Sequence, residues 1–156
     1  MEICLKKAEE EDCQQIWNLQ RRSFAALLEI YQDFDTNPAA ETLERIYQRF
    51  EQPFADYYLI CLGEHAIGFL RVCNRGDTCR LSPIGILPEH QGKGYAQQAM
   101  LLMESLYPRA RRWELDTIAQ EEKLCHLYEK MGYCRTGRYE RIKDGMDIVS
   151  YEKERI

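Results

Sequence analysis

The chain's 156 residues, 45% apolar and 30% charged, suit a single folded domain spanning 1–156 and exclude a disordered or fibrous protein. A net charge of −5 speaks against a nucleic-acid partner, because such binders use a basic surface to displace counterions from phosphates. No stretch approaches the ~20 consecutive apolar residues of a membrane helix, so no membrane partner is expected.

Seven cysteines form an odd set with no C-x-x-C pair, and the opening MEICLKKAEEED lacks the apolar core of a secretory signal. Reduced thiols and a cytoplasmic location follow. Cys73 and Cys79 flank a turn at Asn74 to Asp77, where two small buried residues are expected rather than a disulfide. His65, His90 and His126 match no zinc spacing, so no metal is expected.

In chain order, Glu2 to Lys7 reads as a short edge strand, and Glu10, Glu11 and Asp12 then place carboxylates at a helix start, where they suit the dipole. Ile16, Leu19, Phe24, Leu27, Leu28 and Tyr31 recur at helical spacing, which predicts a helix ending near Asp33. A turn-rich segment leads to a shorter helix from Glu41 to Phe50. Tyr57 to Leu62, Ala66 to Cys73 and Thr78 to Leu87, each bounded by turn residues, form an antiparallel meander. Their nearly continuous apolar character predicts a sheet covered on both faces. Pro83 cannot donate to a ladder and marks a bulge or an unpaired stretch. A helix from Gly94 to Tyr107 places Ala96, Ala99, Met100, Met103 and Leu106 on one face. The basic cluster Arg109, Arg111 and Arg112 reads most simply as a solvated loop, with contact to a cofactor phosphate as the alternative. A strand follows at Arg112 to Ile118, then a helix from Glu121 to Met131 stopped by Gly132. Two final strands, Tyr133 to Arg138 and Met146 to Glu152, are joined through a loop containing Gly145.

The chemistry concentrates in Ile84 to Met100, where a strand, a proline stop and a glycine-punctuated turn run straight into an amphipathic helix. Gly92 and Gly94 leave the backbone bare at a helix start, where unpaired N–H groups and the helix dipole both favour a phosphate. A P-loop needs Ser or Thr after the lysine, but Gly94 follows Lys93. A dinucleotide fingerprint needs a third glycine where Gln97 stands.

The order Gln91-Gly92-Lys93-Gly94-Tyr95-Ala96, preceded by Ile86-Leu87-Pro88, resembles the Q/R-x-x-G-x-G/A and V-x-P elements of the GNAT N-acetyltransferase superfamily. Leu127 to Tyr133 is similar to that family's LYeKlGF segment, and the order of elements matches over nearly the whole chain. The resemblance implies an α/β (α+β) GNAT-like acyl-CoA transferase fold, with a mixed central sheet of about six or seven strands and helices on both faces. It implies acetyl-CoA as co-substrate, held by loop residues Gln91, Gly92, Lys93, Gly94, Tyr95 and Ala96 at the pyrophosphate and by strand amides at Ile84 and Ile86 along the pantetheine arm. Tyr128 would stand beside the thioester sulfur and act as the catalytic acid. The resemblance also allows a homodimer through pairing of the final strands.

Acyl transfer to an amine needs a neutral nucleophile, a polarised carbonyl and a proton for the thiolate. The glutamate that family members often carry before the V-x-P element is absent, and Arg80, Leu81, Ser82, Pro83 and Ile84 occupy that stretch. Glu121 stands where an asparagine often precedes the tyrosine motif. Glu29, Asp33, Asp35 and Asp116 are alternative bases. Glu29, Tyr31, Asp33 and Asp35 on the expected acceptor wall suit a small cationic amine. The expected activity is acetyl transfer to a primary amine by direct attack on the thioester. The alternative is a coenzyme A-binding sensor or adaptor without turnover.

Overall fold

A computed structural model describes residues 2–155. One seven-stranded sheet runs through them in the order β1-β2-β3-β4-β5-β7-β6. Its strands are β1 (Ile3–Lys7), β2 (Ala55–Leu62), β3 (His65–Asn74), β4 (Thr78–Ile86), β5 (Arg112–Ile118), β6 (Cys134–Lys143) and β7 (Met146–Glu154). All pairings are antiparallel except β4 with β5. Four helices accompany them: α1 (Cys13–Tyr31), α2 (Leu43–Phe50), α3 (Tyr95–Leu106) and α4 (Glu122–Lys130).

The expected cover on both faces is present, and its cause is visible in β2. Tyr57 and Leu59 enter a cluster with Cys13, Ile16 and Leu19 of α1 and Ile46 of α2. Tyr58 and Ile60, pointing the other way, enter a larger cluster with Met100 and Met103 of α3 and Cys125 and Tyr128 of α4. In β3 the alternation is broken by a bulge. Ile60 faces Gly68 and Cys61 faces Ala66, so Ile67 has no opposite number and turns its side chain into the α3/α4 cluster, while Phe69 stays with α1.

Most element ends fall within two residues of expectation, and β6 differs by more. β6 continues to Lys143 instead of ending at Arg138, because its ladder to β7 resumes at Tyr139 after a break past Arg135. Only Ile142 in this strand is even half-buried, so no hydrophobic alternation betrayed it. α1 stops at Tyr31, where Gln32 adopts a left-handed conformation (φ 54°). The inner stripe of α1 is buried at Ile16 and Leu19 but only half-buried at Phe24, Leu27, Leu28 and Tyr31.

Candidate active site

The sheet parts between β4 and β5. Thr78, Cys79 and Arg80 pair with Arg112, Trp113 and Glu114, and no rung follows. Past that point β4 pairs with β3 alone, through Ile84, Gly85 and Ile86. Pro83 sits where the β3–β4 register slips, as its missing N–H requires. The result is a strand whose far edge offers unpaired backbone groups along Leu81 to Ile86.

That edge leads to the glycine loop. After a single 3-10 turn at Pro88–His90, Gln91 folds back and its Nε2 donates to the Ile86 carbonyl at 2.8 Å, which pins the loop to the strand end. Gly92 and Gly94 take φ of 75° and 83°, a region that L side chains resist. A Cβ at either would meet nothing within 4 Å, so backbone conformation rather than space demands glycine there. Gly94 caps α3 without any side-chain hydrogen bond, and no acidic residue lies in the first turn. The first-turn amides at Tyr95, Ala96 and Gln97 therefore have no intrahelical acceptor and lie at the positive end of the helix dipole. Lys93 is exposed beside them. The arrangement is suited to an anion.

Tyr128 lies on the inner face of α4, buried to 6% exposure. Its ring packs edge-on against Tyr133 at 6.4 Å and tilted against Tyr151 at 6.2 Å. The neighbours' hydroxyls are committed: Tyr133 donates to Glu104 Oε2 at 3.0 Å and Tyr151 to Glu129 Oε2 at 2.7 Å. The Tyr128 hydroxyl has no partner among the described residues. Burial, with a smaller contribution from Cys125, pushes this phenol up to about 12, so it holds its proton at neutral pH. Ile86 and Tyr128 share one apolar cluster, and Ile84, Tyr95 and Ala96 pack against it. The strand edge, the loop and the tyrosine thus border the same apolar cluster.

Between α3 and α4 a groove of about 570 Å³ is lined by Gln97, Glu122, Lys123, His126, Leu127, Glu129 and Lys130. Sequence reasoning did not single it out, although the helical spacing of 123, 126, 127 and 130 marks one face of α4.

The acceptor-wall residues do not converge. Asp33 is buried and both its oxygens are engaged by Thr36, through the backbone N–H at 3.2 Å and the hydroxyl. Glu29 borders a separate hollow on the outer side of α1 with Arg21, Arg22, Gln32 and Phe34. Asp35 is exposed in the loop. Tyr31 donates to Glu121 Oε2 at 2.5 Å, and its carbonyl accepts from Lys143 Nζ at 2.9 Å. The end of α1 is thereby tied to the start of α4 and to the β6–β7 hairpin. Desolvation and the Glu121 carboxylate push the Tyr31 phenol up to about 12. Asp116 is held by an ion pair to Arg80 and by Ser150 Oγ at 2.8 Å. Among the described residues no group of three or more His, Cys, Asp or Glu is placed to hold a metal ion. No helix there is long and apolar enough to cross a membrane.

A parted parallel pair that leads to an uncapped helix start is built for an extended anionic ligand, and the sequence identifies the class of protein that carries it. The family model for the Acetyltransferase (GNAT) family matches residues 13–133, so the chain belongs to the GNAT acetyltransferases and is an enzyme of that class. No curated protein sequence matches it. Solved structures share the fold at low identity. A spermidine N-acetyltransferase from Vibrio cholerae in complex with CoA and spermine has TM-score 0.75 and 21% identity, covering 98% of this chain and 95% of that one. RimL, a ribosomal L7/L12 alpha-N-protein acetyltransferase in complex with coenzyme A, has TM-score 0.77 and 16% identity over 99% and 94%. AAC(6')-Ib in complex with ribostamycin and coenzyme A has TM-score 0.76 and 16% identity, also over 99% and 94%.

Proposed function

We propose that this enzyme moves an acetyl group from acetyl-CoA to the primary amine of a small cationic acceptor. The observation that carries the reading is the open edge of β4 past Arg80, which leads through one 3-10 turn and the glycine loop to the uncapped start of α3. The co-substrate supplies an electrophilic thioester carbonyl and a thiolate leaving group. The amides at Gly92 to Ala96 hold its pyrophosphate, and Lys123 and Lys130, beside Glu122 and Glu129 in the α3/α4 groove, offer cationic contacts to its nucleotide end. Ile84 and Ile86 offer backbone groups that orient the pantetheine arm and receive the carbonyl oxygen. Tyr128 donates a hydrogen bond to the sulfur.

A cationic acceptor accords with an acidic excess of one charge on the α1 side, where Glu114, Asp116 and Glu152 share the sheet face, and ion pairs, with Arg80 and Arg112. The spermine and ribostamycin of the two solved complexes are amines as well. The seven free cysteines accord with a reducing cytoplasm. One domain suffices for the whole site, and a homodimer would use the exposed edge of β6.

Asp116 is already tied to Arg80 and Ser150, which leaves the amine without an evident carboxylate base and favours a second reading, a coenzyme A-binding sensor without turnover. Thiol release from acetyl-CoA across a panel of amines separates the two. Turnover with polyamines or aminoglycosides supports the enzyme reading. Calorimetric binding with no turnover supports the sensor, and folded protein that binds no acetyl-CoA refutes both.

A further inference from the structure

Across the β3–β4 pair, Leu70 faces Ile84 and Val72 faces Leu81, so Arg71 alone spans Ser82 and Pro83. Pro83 has no N–H, and a ladder interrupted at such a point leaves carbonyls that need another donor. The Arg71 side chain supplies it. Its Nη1 donates to the Ser82 carbonyl at 3.2 Å, and its Nη2 donates to Gln52 Oε1 at 2.6 Å. The guanidinium lies 6.0 Å from the centre of the Tyr57 ring, in a residue only 7% exposed. It enters none of the ion pairs among the described residues. A buried cation without a counter-charge tolerates few positions, because two hydrogen bonds and the Tyr57 ring must offset its lost hydration while its Nε has no partner among the described residues.

Beyond this point β4 keeps its rungs to β3 and has none to β5, so the bulge sets the course of Ile84 to Ile86. We propose that Arg71 is a positioning residue for the acyl donor: by linking the Ser82 carbonyl to Gln52 it holds the β4 bulge, and with it the backbone that lines the opening. The inference rests on the acetyl-CoA reading only in assigning those amides to the donor.

Three variants test it. Arg71→Met removes every donor, Arg71→Lys leaves one ammonium that cannot reproduce the planar fork, and Gln52→Leu removes the brace without touching β3 or β4. Each is read by amide hydrogen exchange across 81–87 in the free protein, by acetyl-CoA affinity, and by KM for donor and acceptor separately. Arg71→Met should raise exchange at 84–86 selectively and weaken acetyl-CoA about tenfold, the scale of one buried hydrogen bond, with acceptor KM within about twofold of wild type. Arg71→Lys should recover part of both effects, and Gln52→Leu should shift both the same way by a smaller factor. Unchanged exchange and affinity in Gln52→Leu and in folded Arg71→Met overturn the proposal, as does a uniform rise of exchange over the whole sheet. Should Arg71→Met not fold, Gln52→Leu decides alone. Failure of the wild type to bind acetyl-CoA counts against the proposed function instead. The exchange measurement needs no ligand and still decides the role of Arg71.

Discussion

Tyr128→Phe removes one hydroxyl and leaves the ring's contacts with Tyr133 and Tyr151 in place. That hydroxyl has no partner among the described residues, so no buried group is orphaned and stability should move by no more than about 0.5 kcal/mol. Catalysis should respond far more. Burial pushes the phenol up to about 12, well above the ~8.5 of an ordinary thiol, so complete proton transfer to the departing thiolate is uphill. The hydroxyl therefore contributes chiefly as a hydrogen bond that strengthens while charge develops on sulfur. A bond to a charged partner contributes about 1.5–3 kcal/mol, which corresponds to a loss in kcat of about 10- to 150-fold. Continuous detection of thiol release at saturating acceptor, paired with calorimetry for acetyl-CoA, measures both quantities. A variant that keeps kcat within about twofold of wild type refutes the assignment. A loss of acetyl-CoA affinity equal to the loss in kcat would instead place the hydroxyl in ground-state binding.

Gly94→Ala and Gly68→Ala should differ in size, because the first meets only an unfavourable φ of 83° in open space. It should cost about 1–2 kcal/mol. A Cβ added at Gly68 would instead press on the Gly85 carbonyl oxygen and lie 3.2 Å from Ile86 Cα, at the upper end of overpacking costs of about 3 kcal/mol. Urea midpoints at constant m check the order. Reversing charge with Lys123→Glu and Lys130→Glu together should weaken coenzyme A about tenfold at low salt, with the difference shrinking as salt rises. Titrations at two ionic strengths measure it. Alkaline pH should destabilise the fold steeply. Burial raises the phenols of Tyr57, Tyr107, Tyr128, Tyr133 and Tyr151 above their ordinary value. These groups ionise first in the unfolded chain, so the native state binds more protons, and the stabilisation, complete below pH ~10, is lost as pH rises. Each protected tyrosine then removes about 1.4 kcal/mol per pH unit. Melting curves from pH 8 to 11.5, with a step in tyrosinate absorbance that coincides with unfolding, test this.

What could be read from the sequence is what depends on neighbours in the chain. Gly92 and Gly94 adopt positive φ for reasons internal to the loop, and the apolar spacing that follows can only be a helix start. The stripes of α1 and α3 and the unbroken apolar strands 57–62 and 66–73 specify their own partners through periodicity. Pro83 announced a fault in its strand because it lacks a donor wherever it lies. The edge strand β6 escaped notice past Arg138 because it buries no face and is carried by its ladder to β7.

Tertiary structure decided which polar groups are free to act. Three tyrosines near the end of the chain read alike, yet only contacts with Glu104 and Glu129 show that Tyr133 and Tyr151 are engaged while Tyr128 is not. Asp116 is occupied by Arg80, a residue 36 positions earlier, and Tyr31 is bound to Glu121, 90 positions later. Arg71 gains its place opposite Pro83 from strand register alone. Local conformation is governed by the few residues on either side, whereas the availability of a hydroxyl, a carboxylate or a guanidinium depends on what the packed sheet brings against it from distant parts of the chain.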